Sequence, residues 1–261
     1  MDKFKIRRII QYLFLGISVG LFVLLIEGTL QTAHELCPYS SVCFGVWKIG
    51  TKYVPFLFPA AVIIGGVIAL SSMFFGRWFC GYICPIGTIQ EIVYSVRGPK
   101  TRFRQLIPYK AHTFLNFLKY IIFLFTAIAA FLSIQYLYMK FCPILAIGHI
   151  QTITIAGILT LVVITVGGFY IERLWCRYLC PYAALMNIFQ KLADLLRIKR
   201  YKIFRNIHTS INCFNCVNYC PMNIDIGYLE KISDLNCIKC MRCVRQCSKS
   251  GKEKSKCIYR D

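Results

Sequence analysis

Charge is scarce in this 261-residue chain: Asp, Glu, Lys and Arg together make up 16% of it, against 57% hydrophobic residues and a mean hydropathy of +0.57. That apolar share lies well above the usual one for a soluble domain, which excludes water as its only solvent. Acidic residues are the scarcer sign, 11 Asp and Glu against 31 Lys and Arg, for a formal net charge of +20. A strongly basic chain ordinarily raises nucleic acid as a partner. Here Lys and Arg are nearly absent from the long apolar runs, Lys119 being the exception, and crowd the segments between alternate runs. That is how cationic loops distribute on the cytoplasmic side of a bilayer, so membrane lipid is expected and nucleic acid is not. Also missing is a small-residue cleavage site after the apolar run that follows MDKFKIRRII. The run is long enough to span, so it reads as a retained first helix rather than a signal peptide.

Four stretches approach the roughly 20 apolar residues that cross a hydrocarbon core: Ile9 to Leu30, Val54 to Phe75, Phe114 to Ile134 and Ile153 to Ile171. Arg and Lys lie before the first, between the second and third, and after the fourth, whereas the other two connections carry only Lys48 and Lys52, and Lys140. The positive-inside bias then puts both termini in the cytoplasm of a multi-pass protein of the cell membrane. An internal repeat is also present. One unit runs from Cys37-Pro38 through a span to FCGYICPIGTIQEI, and the other from Cys142-Pro143 through a span to WCRYLCPYAALMNIF. Each pairs two apolar helices and ends in a C-x3-C-P motif and an amphipathic helix. A pseudo-two-fold axis along the membrane normal would bring the two motifs face to face.

Fifteen cysteines point either to disulfides or to thiolate ligands, and spacing decides between them. Cys237, Cys240, Cys243 and Cys247 reproduce the C-x2-C-x2-C-x3-C run of bacterial ferredoxins, with Ser248 in place of the usual Pro. Cys213, Cys216 and Cys220-Pro221 supply the last three positions of another such run, whose first position is Ser210. In these runs three cysteines hold one cluster and the fourth reaches the other. Cys237, Cys240, Cys243 and Cys220 therefore make a complete four-thiolate site. Cys213, Cys216 and Cys247 lack one thiolate, which leaves a three-iron cluster, a four-iron cluster with Ser210 or water on the odd iron, or recruitment of Cys257 or His208. Zinc also accepts C-x2-C pairs, but two interleaved runs with the x3 step argue against it.

Cys80, Cys84, Cys176 and Cys180 form the two C-x3-C-P motifs. Cysteines four apart share one helical face, so two facing motifs make a four-thiolate site at the cytoplasmic boundary. Arg77, Arg173 and Arg177 would offset its negative charge. The alternatives are a redox-active dithiol pair or cysteines acting as small buried hydrophobes. Cys37, Cys43 and Cys142 lie at the outer ends of the spans, as additional metal ligands with His34 or His149 or, for the first two, as a disulfide. Glu27, His34, Glu91, His112, His149 and Glu172 are candidate hydrogen-bond and proton partners for a quinone, each weighed against a solvated or headgroup-level side chain.

GRWFCGYICPIGTIQE, ERLWCRYLCPYAAL and the cysteine-rich tail resemble the NapH-type membrane ferredoxins, quinol dehydrogenase subunits of periplasmic nitrate reductase systems. Similar modules occur in the nitrous oxide reductase regulator and in a cytochrome oxidase assembly ferredoxin, whose cluster run CFNCVNYCPMNIDI resembles. After Ile198 the apolar spans stop and the chain turns polar and Cys-rich, and the resemblance agrees with that division: an all-α membrane domain of four transmembrane helices over residues 1–198, then a small ferredoxin-like α+β domain over 199–261 with two [4Fe-4S]-type clusters. It also implies a cluster role for Cys80, Cys84, Cys176, Cys180, Cys213, Cys216, Cys220, Cys237, Cys240, Cys243 and Cys247. Ser210 and the outer Cys37, Cys43 and Cys142 depart from that pattern. The implied activity is electron transfer between the quinone pool, or a cytoplasmic donor, and a partner ferredoxin, cytochrome or reductase subunit, as a quinol dehydrogenase-type oxidoreductase component. The competing expectation is a maturation factor that delivers reducing equivalents to a metalloenzyme, for example by reducing copper.

Overall fold

The computed structural model describes residues 3–26, 37–43, 58–96, 109–132, 134, 136–148, 154–201, 203–205, 215–226, 230–250 and 258–260. Two helices, α1 (Lys3–Ile26) and α6 (Tyr109–Phe131), are long and apolar enough to cross a bilayer. The two other apolar runs form shorter helices, α3 (Phe58–Phe75) and α9 (Ile155–Tyr170). All four start or stop within a few residues of the expected spans. Thr154 caps α9, its hydroxyl accepting from the Gly157 amide at 3.2 Å, as an N-cap does for an orphan donor. Large apolar side chains stand exposed along these helices, among them Leu13, Ile63, Phe117 and Leu159, and bare apolar faces of that kind seek an apolar solvent or a partner.

The segments between the apolar helices do not run straight across. Between α1 and α3 comes a short turn of helix, α2 (Ser40–Cys43), packed on α3, with Pro38 and Ser41 so close that a Cβ on Gly65 would collide with both. Between α6 and α9 come α7 (Tyr136–Met139) and α8 (Pro143–Gly148), the latter packed on α9. Each long pair then leads to a cysteine-bearing turn and an amphipathic helix. In the first repeat these are α4 (Trp78–Tyr82) and α5 (Pro85–Val96); in the second, a π-helical turn (Trp175–Leu179) and α10 (Pro181–Leu195). Pro85 and Pro181 both open their helices at the first position, where a missing N–H costs nothing. Helix α10 lies against α3 and α6, and α5 against α1 and α9.

After α10 the chain forms a three-stranded antiparallel sheet in the order β2-β1-β3, from β1 (Ile203–Arg205), β2 (Lys231–Ile232) and β3 (Ile258–Arg260). Ile203 pairs with Ile232 on one side and with Arg260 on the other. Two helices, α11 (Asn215–Asn218) and α12 (Arg242–Ser250), pack on each other, and α12 also touches β3. Ile203, Val217, Met222, Ile224, Ile226, Ile232 and Ile238 form one core that continues into Phe79, Cys80, Tyr182 and Met186 of the helical repeats. At the junction, Arg200 pairs with Asp194 and donates to Gln190 Oε1 at 3.0 Å.

Candidate functional site

The two C-x3-C-P motifs are not simple α-helical turns. The Cys84 amide donates to the Phe79 carbonyl at 3.1 Å and the Cys180 amide to the Trp175 carbonyl at 2.8 Å, both five residues back. Such wide turns are rare and gather at functional sites. The motifs are linked crosswise. Arg77, three residues before Cys80, donates to the Cys176 carbonyl at 2.6 Å, and Arg173, three residues before Cys176, donates to the Cys80 carbonyl. Both guanidiniums are fully buried. Gly87 makes room for Arg173, since a Cβ there would lie 2.8 Å from its Nη1.

Cys80, Cys84, Cys176 and Cys180 line one cavity of about 170 Å³, with Tyr39, Ile122, Thr126, Trp175 and Tyr182 among its walls. The Cys84 thiol donates to Cys176, which, with Arg173 and Arg77 and against the cost of burial, holds the Cys176 thiol below its ordinary range. That same bond, together with burial, pushes Cys84 up. Burial pushes Cys180 up to about 12. Cys37, Cys43 and Cys142 line the same cavity. Expected at the outer ends of the spans, they face the C-x3-C-P thiols across one cavity. The segments carrying them fold back among the helices, Pro38 onto Gly65, and all three are free thiols. Among the described residues no three His, Cys, Asp or Glu side chains close on a point that would hold a single metal ion.

Glu91 of α5 is the second surprise, expected as a solvated or headgroup-level carboxylate. It is buried and ion-paired with Arg7 of α1 at 2.7 Å, Arg173 at 2.7 Å and Arg242 of α12 at 2.6 Å. Burial raises its pKa, but Arg242, Arg173 and Arg7 outweigh that and hold the carboxyl well below the usual carboxylate range. Arg242 also pairs with Glu172 at 2.5 Å. His112 is buried as well, its Nδ1 lying 2.9 Å from the Tyr178 hydroxyl and 2.8 Å from Arg177 Nη2. Lys119, the lone cation of an apolar run, donates to Asn116 at 2.7 Å and to Asn236 of the tail at 2.5 Å. Glu27, His34 and His149 lie outside the described residues.

In the tail, Cys220, Cys237, Cys240 and Cys243 line one apolar cavity, while Cys216 is buried in the adjoining core. Burial pushes Cys220 up to about 12 and Cys243 well above its ordinary range, the neighbouring thiols adding to both. Lys239 and Met241, flanking Cys240, have φ of 55° and 57°. Left-handed conformations are costly for such side chains, and they turn successive amides into a concavity that favours an anion, as around iron–sulfur clusters. Ser210, Cys213, His208, Cys257 and the Cys247 side chain lie outside the described residues.

The two thiol sets meet through backbone. Gly81 follows Cys80, and a Cβ on it would collide with the carbonyl of Ile238, which follows Cys237. The Tyr82 hydroxyl donates to the Lys239 carbonyl at 3.2 Å. In the second repeat the corresponding residues are Arg177 and Tyr178, which turn to His112 instead. Sequence reasoning missed Gly81 and Glu91 as contact points. The signal for the arginine cross-links was present, since an Arg stands three residues ahead of the first cysteine in both motifs.

The buried donors fit an anionic sulfur-ligated group: cysteines in sets of four, with Arg77, Arg173, Arg177, Lys239 and Arg242 buried close by. Comparison with known proteins bears on what that group is. A family of 4Fe-4S binding domains matches residues 57–104 and again 153–202, one match per C-x3-C-P motif. An uncharacterized protein of Methanocaldococcus jannaschii is 30% identical over 194 residues, covering 73% of this chain and 70% of the relative. Protein NirI of Paracoccus denitrificans is 27% identical, over 74% of this chain and 28% of the relative. The ferredoxin-type protein NapH of Escherichia coli is 20% identical, over 93% of this chain and 85% of the relative. The chain spans little more than half, 57%, of another relative, the Escherichia coli protein YccM. No solved structure matches it. The duplicated 4Fe-4S match and these relatives place the chain in the NapH-related family of iron–sulfur, ferredoxin-type electron transport proteins.

Proposed function

We propose that this chain is a multi-pass membrane protein that carries electrons between its tail and the membrane interior through separate iron–sulfur sites. One site uses Cys80, Cys84, Cys176 and Cys180; another, of the [4Fe-4S] type, uses Cys220, Cys237, Cys240 and Cys243. A further tail cluster on Cys213, Cys216 and Cys247 completes the ferredoxin pattern. The observation that carries the reading is the contact of Gly81 with Ile238, which brings the two four-thiol cavities together through backbone. When bound, an iron–sulfur cluster accepts and releases single electrons. The protein holds the thiols, offsets their charge with buried arginines and excludes water.

The relatives' names, a ferredoxin-type protein for NapH and an electron transport protein for YccM, favour electron transport; the resemblance of the cysteine motifs to quinol dehydrogenase subunits favours the quinone pool at one end and a partner redox protein at the other. Among the described candidates, His112, beside Tyr178 and Arg177, is the group that would receive protons from a quinol, since Glu91 is held by three arginines. Anaerobic purification, iron and sulfide counting, and EPR test this reading. Cys84→Ser with Cys180→Ser should remove one cluster signal and Cys240→Ser a different one. Quinol added anaerobically should reduce the wild type. Identical spectra from wild type and both variants would sink the assignment.

A further inference from the structure

Four of the seven thiols around the upper cavity complete one four-thiolate set, which leaves Cys37, Cys43 and Cys142 unassigned. We infer that these three hold a second iron–sulfur cluster, behind the first and within the same cavity; the inference rests on the assignment of the first to the C-x3-C-P motifs.

The backbone is built to bring them there. Cys37 and Cys43 are 7% and 3% exposed. Gly65 admits Pro38, the Ser41 hydroxyl donates to the Pro38 carbonyl at 2.9 Å, and the Cys43 amide donates to the Tyr39 carbonyl at 3.2 Å. On the other side the Cys142 amide donates to the Met139 carbonyl at 3.0 Å, and the Ala146 amide to the Cys142 carbonyl at 3.0 Å. Irregular backbone among membrane-spanning helices is tolerated where it is buried in protein or lines a cavity. Here two separate segments do so, and both deliver a Cys-Pro. The repeat makes Cys37 and Cys142 a pseudo-symmetric pair, and Cys43 adds a third thiol.

The donor set selects the kind of group. Soft thiolates in an apolar wall favour copper(I), zinc or an iron–sulfur cluster. A bare ion needs ligands that close to about 2.3 Å around one centre, and no three described side chains do so. A cluster instead spreads its thiolates over several irons. Three thiols leave one iron without a cysteine, and the Tyr138 hydroxyl, buried without a hydrogen-bond partner and part of a side chain that lines the same cavity, is an oxygen that could take its place. The consequence is a longer electron path, from the level of the C-x3-C-P motifs toward the middle of α3. Each step is one electron passing from the inner cluster to the outer, with no bond made or broken.

The test uses the full chain, enriched in iron-57 and purified anaerobically in detergent. Cys37→Ser with Cys142→Ser should lose about four irons and about four sulfides per chain and keep the tail and inner signals. Cys84→Ser with Cys180→Ser, scored separately, should lose a different cluster; full iron content in that variant would overturn the underlying assignment rather than this one alone. Unchanged iron in the outer variant, or the same loss and spectrum from both variants, overturns the second cluster. Should the outer variant fail to accumulate, the wild type decides. Its Mössbauer spectrum must contain one cluster beyond the tail pair and the inner centre, and Cys37, Cys43 and Cys142 must resist N-ethylmaleimide until acid strips the iron. A disulfide between any two of these three, found by mass spectrometry of the anaerobic wild type, overturns the inference.

Discussion

Arg77 and Arg173 stand three residues ahead of Cys80 and Cys176, and each donates to the carbonyl of the first cysteine in the opposite motif. This exchange is the physical form of the sequence repeat. It ties the two halves at the point where their thiols converge, and it places two buried positive charges beside them.

Because reduction adds negative charge to the inner site, each of these cations should raise its reduction potential. Arg77→Gln and Arg173→Gln should therefore both lower it. Even a solvent-screened interaction on the order of 1 to 4 kcal/mol for charges a few ångströms apart translates into tens of millivolts or more. Redox titration followed by EPR checks this; shifts of opposite sign for the two variants would contradict the pseudo-symmetry.

Gly81→Ala should uncouple the tail from the first motif, because the new Cβ has only the Ile238 carbonyl to displace. Overpacking of that kind costs about 1–3 kcal/mol. Gly16→Ala, where nothing lies within 4 Å, should cost nothing and serves as the control. Hydrogen exchange in α12 and the rate of electron transfer between tail and inner site are the readouts.

Much of this was legible beforehand, and the rest was hidden for identifiable reasons. Cysteine spacing grouped Cys220 with Cys237, Cys240 and Cys243, which line one cavity, because short spacings fix which side chains a local loop can bring together. The apolar runs located α1, α3, α6 and α9, because span length is a property of composition. That Cys37 and Cys142 share a cavity with the C-x3-C-P thiols was not legible, because an apolar run marks where a helix ends but says nothing about whether the chain then folds back. Glu91 was unreadable for a related reason. Arg242, one of its partners, is 151 positions away, and a lone carboxylate on an amphipathic helix looks the same whether it faces water or three arginines.

Glu91 gives a pH prediction. Its folded pKa lies below the ordinary value of 4.5, so its contribution is present above that value and is lost only as pH falls through the lower, folded one. The tail should stay docked in mildly acidic buffer. Glu91→Gln should loosen it at neutral pH, since breaking a buried ion pair costs about 3–5 kcal/mol. Limited proteolysis across pH, read at α12, distinguishes the two; a wild type that undocks near pH 6 would contradict the depressed pKa.

In the tail, the sequence places Ser210 where a ferredoxin run begins with cysteine. Ser210→Cys should add a conventional four-iron signal to the EPR spectrum of the reduced protein. If the wild type already shows two such tail centres, Cys257→Ser should remove one. No change from either substitution would rule out the crossed ligand assignment.

Arg177, at the place Gly81 holds in the first motif, makes the duplicated cage one-sided. A glycine admits the backbone of a cysteine loop, whereas a buried guanidinium held by His112 fills the matching space. A symmetric pair of docking faces would let two ferredoxin modules compete for one inner site, or let one swap between them. With one face closed, the second motif offers no matching place for a cysteine loop, and the tail has one docking position on the repeat rather than two.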